Sequence, residues 1–201
     1  MIHTLLFDLG NVLIPFELSR GYRAFETSTG LPAQLVAERL TSTDLYQRYE
    51  AGRVSTPEFH KSISEVLQVE IPLAELRSAW NAIFFPDPTV NPALLANLKE
   101  NYRLVLLSNT NELHFEWLRE RYAFLQLFDA FTLSYEVGAM KPERLIFEDA
   151  LSKARCAPEE CFYTDDILKY VETARTLGIH AQQFTGEDRL REHLTAAGVR
   201  Y

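Results

Sequence analysis

The sequence predicts an α/β fold: a parallel sheet flanked by helices, with an all-helical stretch inserted after the first strand. Three observations predict it. The short apolar run from Leu5 to Val12 begins almost at the start of the chain, carries Asp8 within it and ends on a Gly10-Asn11 turn pair. Beyond Pro86-Asp87-Pro88, strand patterns alternate with helix patterns to the end of the chain. Between Phe16 and Phe85 only helical spacing is visible. Strands that alternate with helices need right-handed crossovers, which place a parallel sheet between two helical layers.

Residues 2–8 read as the first strand, and Pro15 marks the change to helical patterning. Leu18, Tyr22 and Phe25 then recur at helical spacing, followed by Leu35, Val36 and Leu40, by Phe59, Ile63 and Leu67, and by Leu76, Trp80 and Ile83. Gly30-Leu31-Pro32, Gly52 and Pro72 break these helices. Ser55-Thr56-Pro57-Glu58 has the composition of a helix start, a hydroxyl cap followed by a first-turn proline. The aromatic residues of this stretch read as the core that any helix buries. After the Pro86-Asp87-Pro88 linker come helices near 92–100, 113–122, 142–153 and 167–177 and from about Asp188. Strands are expected at 103–107, 130–134, 161–164 and 178–184. Residues 1–15 and 87–201 therefore form one α/β domain, and 16–86 a helical domain inserted into it.

Composition narrows the function classes. A chain of 201 residues with 47% hydrophobic and 24% charged residues is an ordinary globular protein with a substantial core. Its 28 acidic residues outnumber 20 basic ones, and no Lys/Arg cluster offers the footprint of a nucleic-acid binder. No signal-peptide pattern opens the chain and no apolar run approaches membrane-spanning length, so a cytoplasmic location is the expectation. Cys156 and Cys161 lack the neighbours that a zinc site needs and read as structural thiols.

Chemistry gathers at the strand ends, where ligands bind in open α/β sheets because loops and helix N-termini converge there. Asp8 ends the first strand, where it can act as ligand or nucleophile or simply open a turn. Ser108-Asn109-Thr110-Asn111 ends the second, with groups that can bind an oxyanion, cap the next helix, or do both. Lys141 is followed by Pro142, read as a first-turn helix proline, which fixes the ammonium in a loop. Asp165-Asp166 ends a later strand; two adjacent carboxylates repel unless a cation lies near them, and hard oxygen donors suit Mg²⁺. Helix capping is the other use of such a pair.

These four signals in this order resemble the haloacid dehalogenase-like hydrolase superfamily. Asp-Leu-Gly-Asn-Val, Leu-Ser-Asn-Thr-Asn and Gly-x-x-Lys-Pro-Glu are similar to its bacterial subgroup that includes the α-glucose-1-phosphate phosphatases. The resemblance implies a Rossmann-like core with a type 1 helical cap domain. It implies a phosphatase acting on a small phosphorylated metabolite through an aspartyl-phosphate on Asp8. From charge and hydropathy no nucleic-acid or membrane partner is expected, and the expected state is a monomer or homodimer. Leu9, Gly10, Ser108, Asn109 and Lys141 would surround the phosphoryl group with Asp8. Mg²⁺ would be held by Asp8, the Gly10 carbonyl and Asp166, with Asp165 assisting.

Two positions depart from that pattern. Gly10 stands where most phosphatases of the superfamily carry an aspartate that protonates the leaving group, and Tyr170 stands where similar sequences often have asparagine. The missing acid suggests either substrates with good leaving groups or a replacement from the inserted helices, for which Glu17 and Glu50 are the candidates. Arg53, in the loop after Glu50, is a candidate for a second anionic group on the substrate, and otherwise a solvated arginine. His114 reads as a helix-surface residue. A metal-free 2-haloacid dehalogenase and a weakly active binding module are the competing functions; the Asp165-Asp166 pair speaks against the first, and intact Asp8, Lys141 and Asp166 against the second.

Overall fold

A computed structural model describes residues 1–201. Strand β1 (Thr4–Phe7) is the centre of a five-stranded sheet completed by β2 (Arg103–Ser108), β3 (Ala130–Leu133), β4 (Cys161–Asp165) and β5 (His180–Gln183). The strand order is β3-β2-β1-β4-β5 and every pairing is parallel. Side chains alternate across the sheet. Leu5 and Phe7 join Leu104, Leu106 and Phe162 in the core on one face, while Leu6 joins Val105, Leu107 and Tyr163 in that on the other. A strand covered on both faces must be apolar at successive positions, which is why Leu5-Leu6-Phe7 runs without alternation. Thr4, the polar member of β1, donates its hydroxyl to the Ala154 carbonyl at 2.9 Å.

Helices α1 (Leu18–Thr29), α2 (Ala33–Thr41), α3 (Leu45–Glu50), α4 (Thr56–Leu67) and α5 (Leu73–Asn81) all lie between β1 and β2 in the chain. They enclose a core of their own, in which the Phe59 ring stacks on Tyr49 at 4.0 Å and meets Trp80 edge-on at 4.8 Å. The aromatic residues of this stretch are thus core, as their spacing predicts. Ser55 caps α4 in a reciprocal capping box with Glu58, with a proline in the first turn. The chain enters and leaves the inserted helices along paired backbone: Phe85 N–H donates to the Pro15 carbonyl at 3.0 Å and Thr89 N–H to the Leu13 carbonyl at 2.9 Å.

The sheet is covered by α6 (Pro92–Lys99), α7 (Glu112–Arg121), the single turn α8 (Ser134–Val137), α9 (Arg144–Ala154), α10 (Leu168–Thr176) and α11 (Glu187–Ala196). Leu113 of α7 belongs to the core of the inserted helices, and its N–H donates to the Tyr49 hydroxyl at 3.3 Å. Gly52, in the loop after α3, approaches α8 so closely that a Cβ there would lie 2.1 Å from the Tyr135 carbonyl oxygen.

One local expectation fails. Pro142 does not open a helix; α9 begins at Arg144, and Met140–Glu143 form a turn instead. Glu143 N–H donates to the Met140 carbonyl at 2.7 Å, and the Glu143 carboxylate accepts from Met140 N–H at 3.0 Å. That turn holds Lys141 in a loop by other means. Both cysteines are free, and Cys161 is buried in the sheet. No helix is long and apolar enough to cross a membrane.

Candidate active site

The chain steps from β1 to β2 and β3 on one side of the sheet, then returns to place β4 on the other. Such a switch point opens a crevice outside the carboxyl ends of the strands. Asp8 sits there, and its N–H donates to the Thr164 carbonyl at 3.1 Å, which fixes it beside the end of β4. Ser108 ends β2 and Asp165 ends β4, so three strand ends bring a carboxylate, a hydroxyl and a second carboxylate together.

Lys141 enters this crevice from its loop and is gripped at the backbone by Asn109. The Asn109 Oδ1 accepts from Lys141 N–H at 2.7 Å, and its Nδ2 donates to the Lys141 carbonyl at 3.1 Å. The Lys141 Nζ then lies 2.7 Å from Asp8 Oδ1, 2.6 Å from Asp165 Oδ2 and 3.2 Å from the Leu107 carbonyl. The Tyr170 ring stands 5.2 Å from the same ammonium, a cation–π contact at the position that departs from the family pattern. Asp165, with no exposed surface, also accepts from the Tyr163 hydroxyl and, at 2.8 Å, from Ile167 N–H. It thus closes the turn into α10 as a capping aspartate would, while holding the lysine.

Burial disfavours every charge here, and the balance decides which survive. Burial alone would push the Lys141 ammonium down, but Asp8 and Asp165 override it and hold its proton more firmly than an ordinary lysine does. Asp8 is shifted upward, first by burial and then by Asp165, against the pull of Lys141. One ammonium shared between two carboxylates leaves each half compensated.

Asp166 adds a third acid. It is partly buried, is shifted upward by burial and by Asp165, and faces Asn11 Nδ2 at 3.5 Å. Asn11 holds the left-handed φ of 55° that the turn after β1 requires. Carboxylate oxygens of Asp8, Asp165 and Asp166 lie within 4.8 Å of one another. Three carboxyl groups share one ammonium, so the lysine by itself cannot balance all of them as carboxylates. That excess, on hard oxygen donors, fits a divalent cation such as Mg²⁺.

A small cavity of about 40 Å³ lies next to the residues that flank this cluster, lined by Leu9, Gly10, Ser108, Asn109 and Thr110 at the ends of β1 and β2 and by Phe16, Tyr46, Glu50, Ile83, Phe84 and His114. Glu50 is buried at the end of α3, with the Tyr46 hydroxyl beside it; burial raises its carboxyl to about 7, against the pull of Tyr46 and Lys141. A larger cavity of about 280 Å³ within the inserted helices shares Tyr46, Ile83 and His114 with the small one and is otherwise rich in apolar and aromatic side chains, including Phe25 and Trp80. His114 is not on the surface: α5 covers its face of α7, so it stacks on Trp80 at 5.4 Å and pairs through Nδ1 with Asn81 Oδ1 at 2.8 Å. Burial lowers it to about 3, which keeps it neutral.

The remaining candidates lie elsewhere. Glu17 is exposed and engaged by Ser19 and, at 3.8 Å, by Arg23, and Arg53 is exposed as well. Neither lines the small cavity. Sequence reasoning did not reach Tyr46, Phe16 or Tyr163. Tyr46 alone carried a signal, standing one helical turn before Glu50.

A family model for haloacid dehalogenase-like hydrolases matches residues 2–178. A protein of Bacteroides thetaiotaomicron named D-ribitol-5-phosphate phosphatase is 25% identical over 97% of this chain and 98% of its own length. The structure of a haloacid dehalogenase family enzyme from the same organism, in complex with magnesium and inorganic phosphate, superposes with a TM-score of 0.83. It is 30% identical and covers 92% of this chain and 96% of its own. An L-2-haloacid dehalogenase from Xanthobacter autotrophicus shares the fold alone, at 18% identity and a TM-score of 0.62, covering all of this chain and 85% of its own.

Proposed function

This chain belongs to the haloacid dehalogenase-like hydrolases, and on that premise we propose that it is a Mg²⁺-dependent phosphatase of small phosphomonoesters, working through an aspartyl-phosphate on Asp8. The observation that carries the reading is the buried cluster itself: a carboxylate at the switch point of the sheet, one ammonium beside it, and more negative charge than that ammonium balances. Phosphoryl transfer asks little of the protein beyond placing reactants and balancing charge.

In this reading Asp8 attacks phosphorus. Ser108, the backbone of Leu9 and Gly10, and the Lys141 ammonium hold the transferring group, while Asn109 fixes Lys141 from behind. Asp8, the Gly10 carbonyl and Asp166 would hold Mg²⁺, which when bound screens the phosphate oxygens from the carboxylates. Asp165, already occupied by Lys141 and Tyr163, serves to position the lysine. Residues 16–86 act as a cap domain over a core formed by 1–15 and 87–201, and the cap selects the ester. The relative named for D-ribitol-5-phosphate supports a polyol or sugar phosphate as the substrate class. The acid cluster disfavours the dehalogenase alternative, since a site for a bare anionic haloacid gains nothing from surplus negative charge.

The reading is tested by phosphate release from a panel of sugar, polyol and aryl phosphates, with Mg²⁺ and with chelator. Release that requires both Mg²⁺ and Asp8, shown by loss in Asp8→Asn, is expected. Release that survives chelation or that substitution contradicts the reading.

A further inference from the structure

We propose that Glu50 is the proton donor and acceptor of this site, reaching the leaving group from α3 in place of a side chain at position 10. The proposal rests on the phosphatase reading and completes it. Position 10 is closed to an acid as the molecule stands: a Cβ on Gly10 would lie 2.8 Å from the Phe16 ring, so that ring occupies the space a side chain would take. Glu50 borders the same small cavity as Gly10 and Ser108, from the opposite side. Only 6% exposed, it has no Lys, Arg or His within ion-pair distance. An uncompensated buried carboxyl is costly and is usually retained for chemistry.

The groups that face Glu50 come from three elements. Tyr46 lies beside it on α3, Lys141 attracts it from the core loop, and Tyr170 on α10 senses its charge. Burial outweighs the two lowering influences and brings its carboxyl to about 7, where it can hold or release a proton at neutral pH. Its position is fixed from the other side by Gly52, whose loop abuts the Tyr135 carbonyl. His114 borders the cavity too but cannot donate. Asn81 Nδ2 gives its proton to the Arg77 carbonyl at 2.8 Å, so Asn81 Oδ1 is the acceptor and His114 Nδ1 carries the histidine's single proton. That leaves His114 Nε2 without one.

The proton balance closes. As the Asp8 oxygen bonds to phosphorus and the ester P–O bond breaks, the Glu50 proton passes to the departing oxygen, giving an alcohol and a Glu50 carboxylate. Water then attacks phosphorus and gives its proton to Glu50; the bond from phosphorus to Asp8 breaks, releasing inorganic phosphate and restoring both residues.

Leaving-group dependence tests the assignment. Glu50→Gln is compared with wild type on an alkyl phosphate, whose alkoxide needs a proton, and on 2,4-dinitrophenyl phosphate, whose phenolate does not. We expect kcat/KM to fall by about 10²- to 10⁴-fold on the alkyl ester and to change little on the dinitrophenyl ester. The fall of wild-type alkyl turnover at alkaline pH should disappear in the variant. Equal losses on the two esters with the circular-dichroism melt preserved, or no loss on either, would overturn the role of Glu50 alone. Should the variant fail to melt cooperatively, the wild-type leaving-group slope decides: a steep dependence on leaving-group acidity means that no proton is delivered and overturns the proposal, while a shallow one upholds it. A wild type that releases phosphate from neither ester would instead overturn the phosphatase reading on which the proposal rests.

Discussion

Lys141 shows how single residues at this site trade stability for charge. Its ammonium is the one cation within reach of two buried carboxylates. Removing it by Lys141→Met leaves Asp8 and Asp165 uncompensated, and a broken buried pair of this kind costs about 3–5 kcal/mol. Urea denaturation of the metal-free proteins should show that loss, and an unchanged midpoint would mean that the carboxylates are already neutral without the lysine. Glu50 predicts the opposite sign. Its folded value of about 7 lies above the 4.5 of an ordinary glutamate, so between those two the native state binds the extra proton. Stability from this group is therefore fully present below about 4.5 and is lost as pH rises through about 7, by about 3 kcal/mol at most. Glu50→Gln cannot titrate, so its stability relative to wild type should rise between about pH 5 and about pH 8. A constant difference across that range would refute a Glu50 carboxyl that burial holds protonated. At this scale the strand-end residues Asp8, Ser108, Asp165 and Asp166 were legible because polar groups end apolar runs there, and Lys141 because its proline neighbour marks a loop; Lys141 meets both Asp8 and Asp165, and Asp166 lies beside them. His114 and Tyr46 were not, since what covers them is set by inserted helices distant in sequence.

At the scale of elements, two loops carry the arrangement. Gly52 has φ 66° and no room for a Cβ against the Tyr135 carbonyl, so Gly52→Ala must strain the backbone, displace α8, or lift the end of α3 from the core. The expected result is a loss of at least about 1–3 kcal/mol in unfolding free energy and a fall in turnover with Mg²⁺ affinity retained, since Asp8 and Asp166 lie on other elements. Unchanged turnover would show that the docking of α3 is irrelevant to the site. Ser55→Ala serves as the contrast: it removes the α4 capping box, whose partners are Ser55 and Glu58 alone, and should cost about 1 kcal/mol while leaving turnover intact. That helix start was legible because Ser-Thr-Pro-Glu states its own local geometry. The beginning of α9 was misread for the complementary reason. Pro142 has the composition of a first helical turn, but the Asn109 side chain grips the Lys141 backbone from another strand end, and local composition does not report such a grip.

Across the whole molecule, the alternation of strand and helix was enough to predict a parallel sheet with an inserted helical block, because periodicity reports burial on each face. It was not enough to give the strand order. Placing β1 between β2 and β4 is a packing result, and that order alone puts Asp8 against Thr164 and within reach of both acids of the β4 end. The two cavities are likewise invisible in the sequence, since the larger combines residues of α1, α2, α3 and α5 with His114 of α7, and the smaller combines α3 residues with those at the ends of β1 and β2. The account therefore stands on one juxtaposition, a nucleophilic carboxylate held at the switch point by one lysine. Its most direct test is rapid acid quench of wild type during turnover of a phosphate ester, followed by borohydride reduction and peptide mass analysis. The account predicts that the reduced acyl-phosphate is found at Asp8 and is absent from Asp8→Asn. Steady phosphate release with no phosphorylated Asp8 at any quench time, or with the phosphoryl group on another residue, would contradict it.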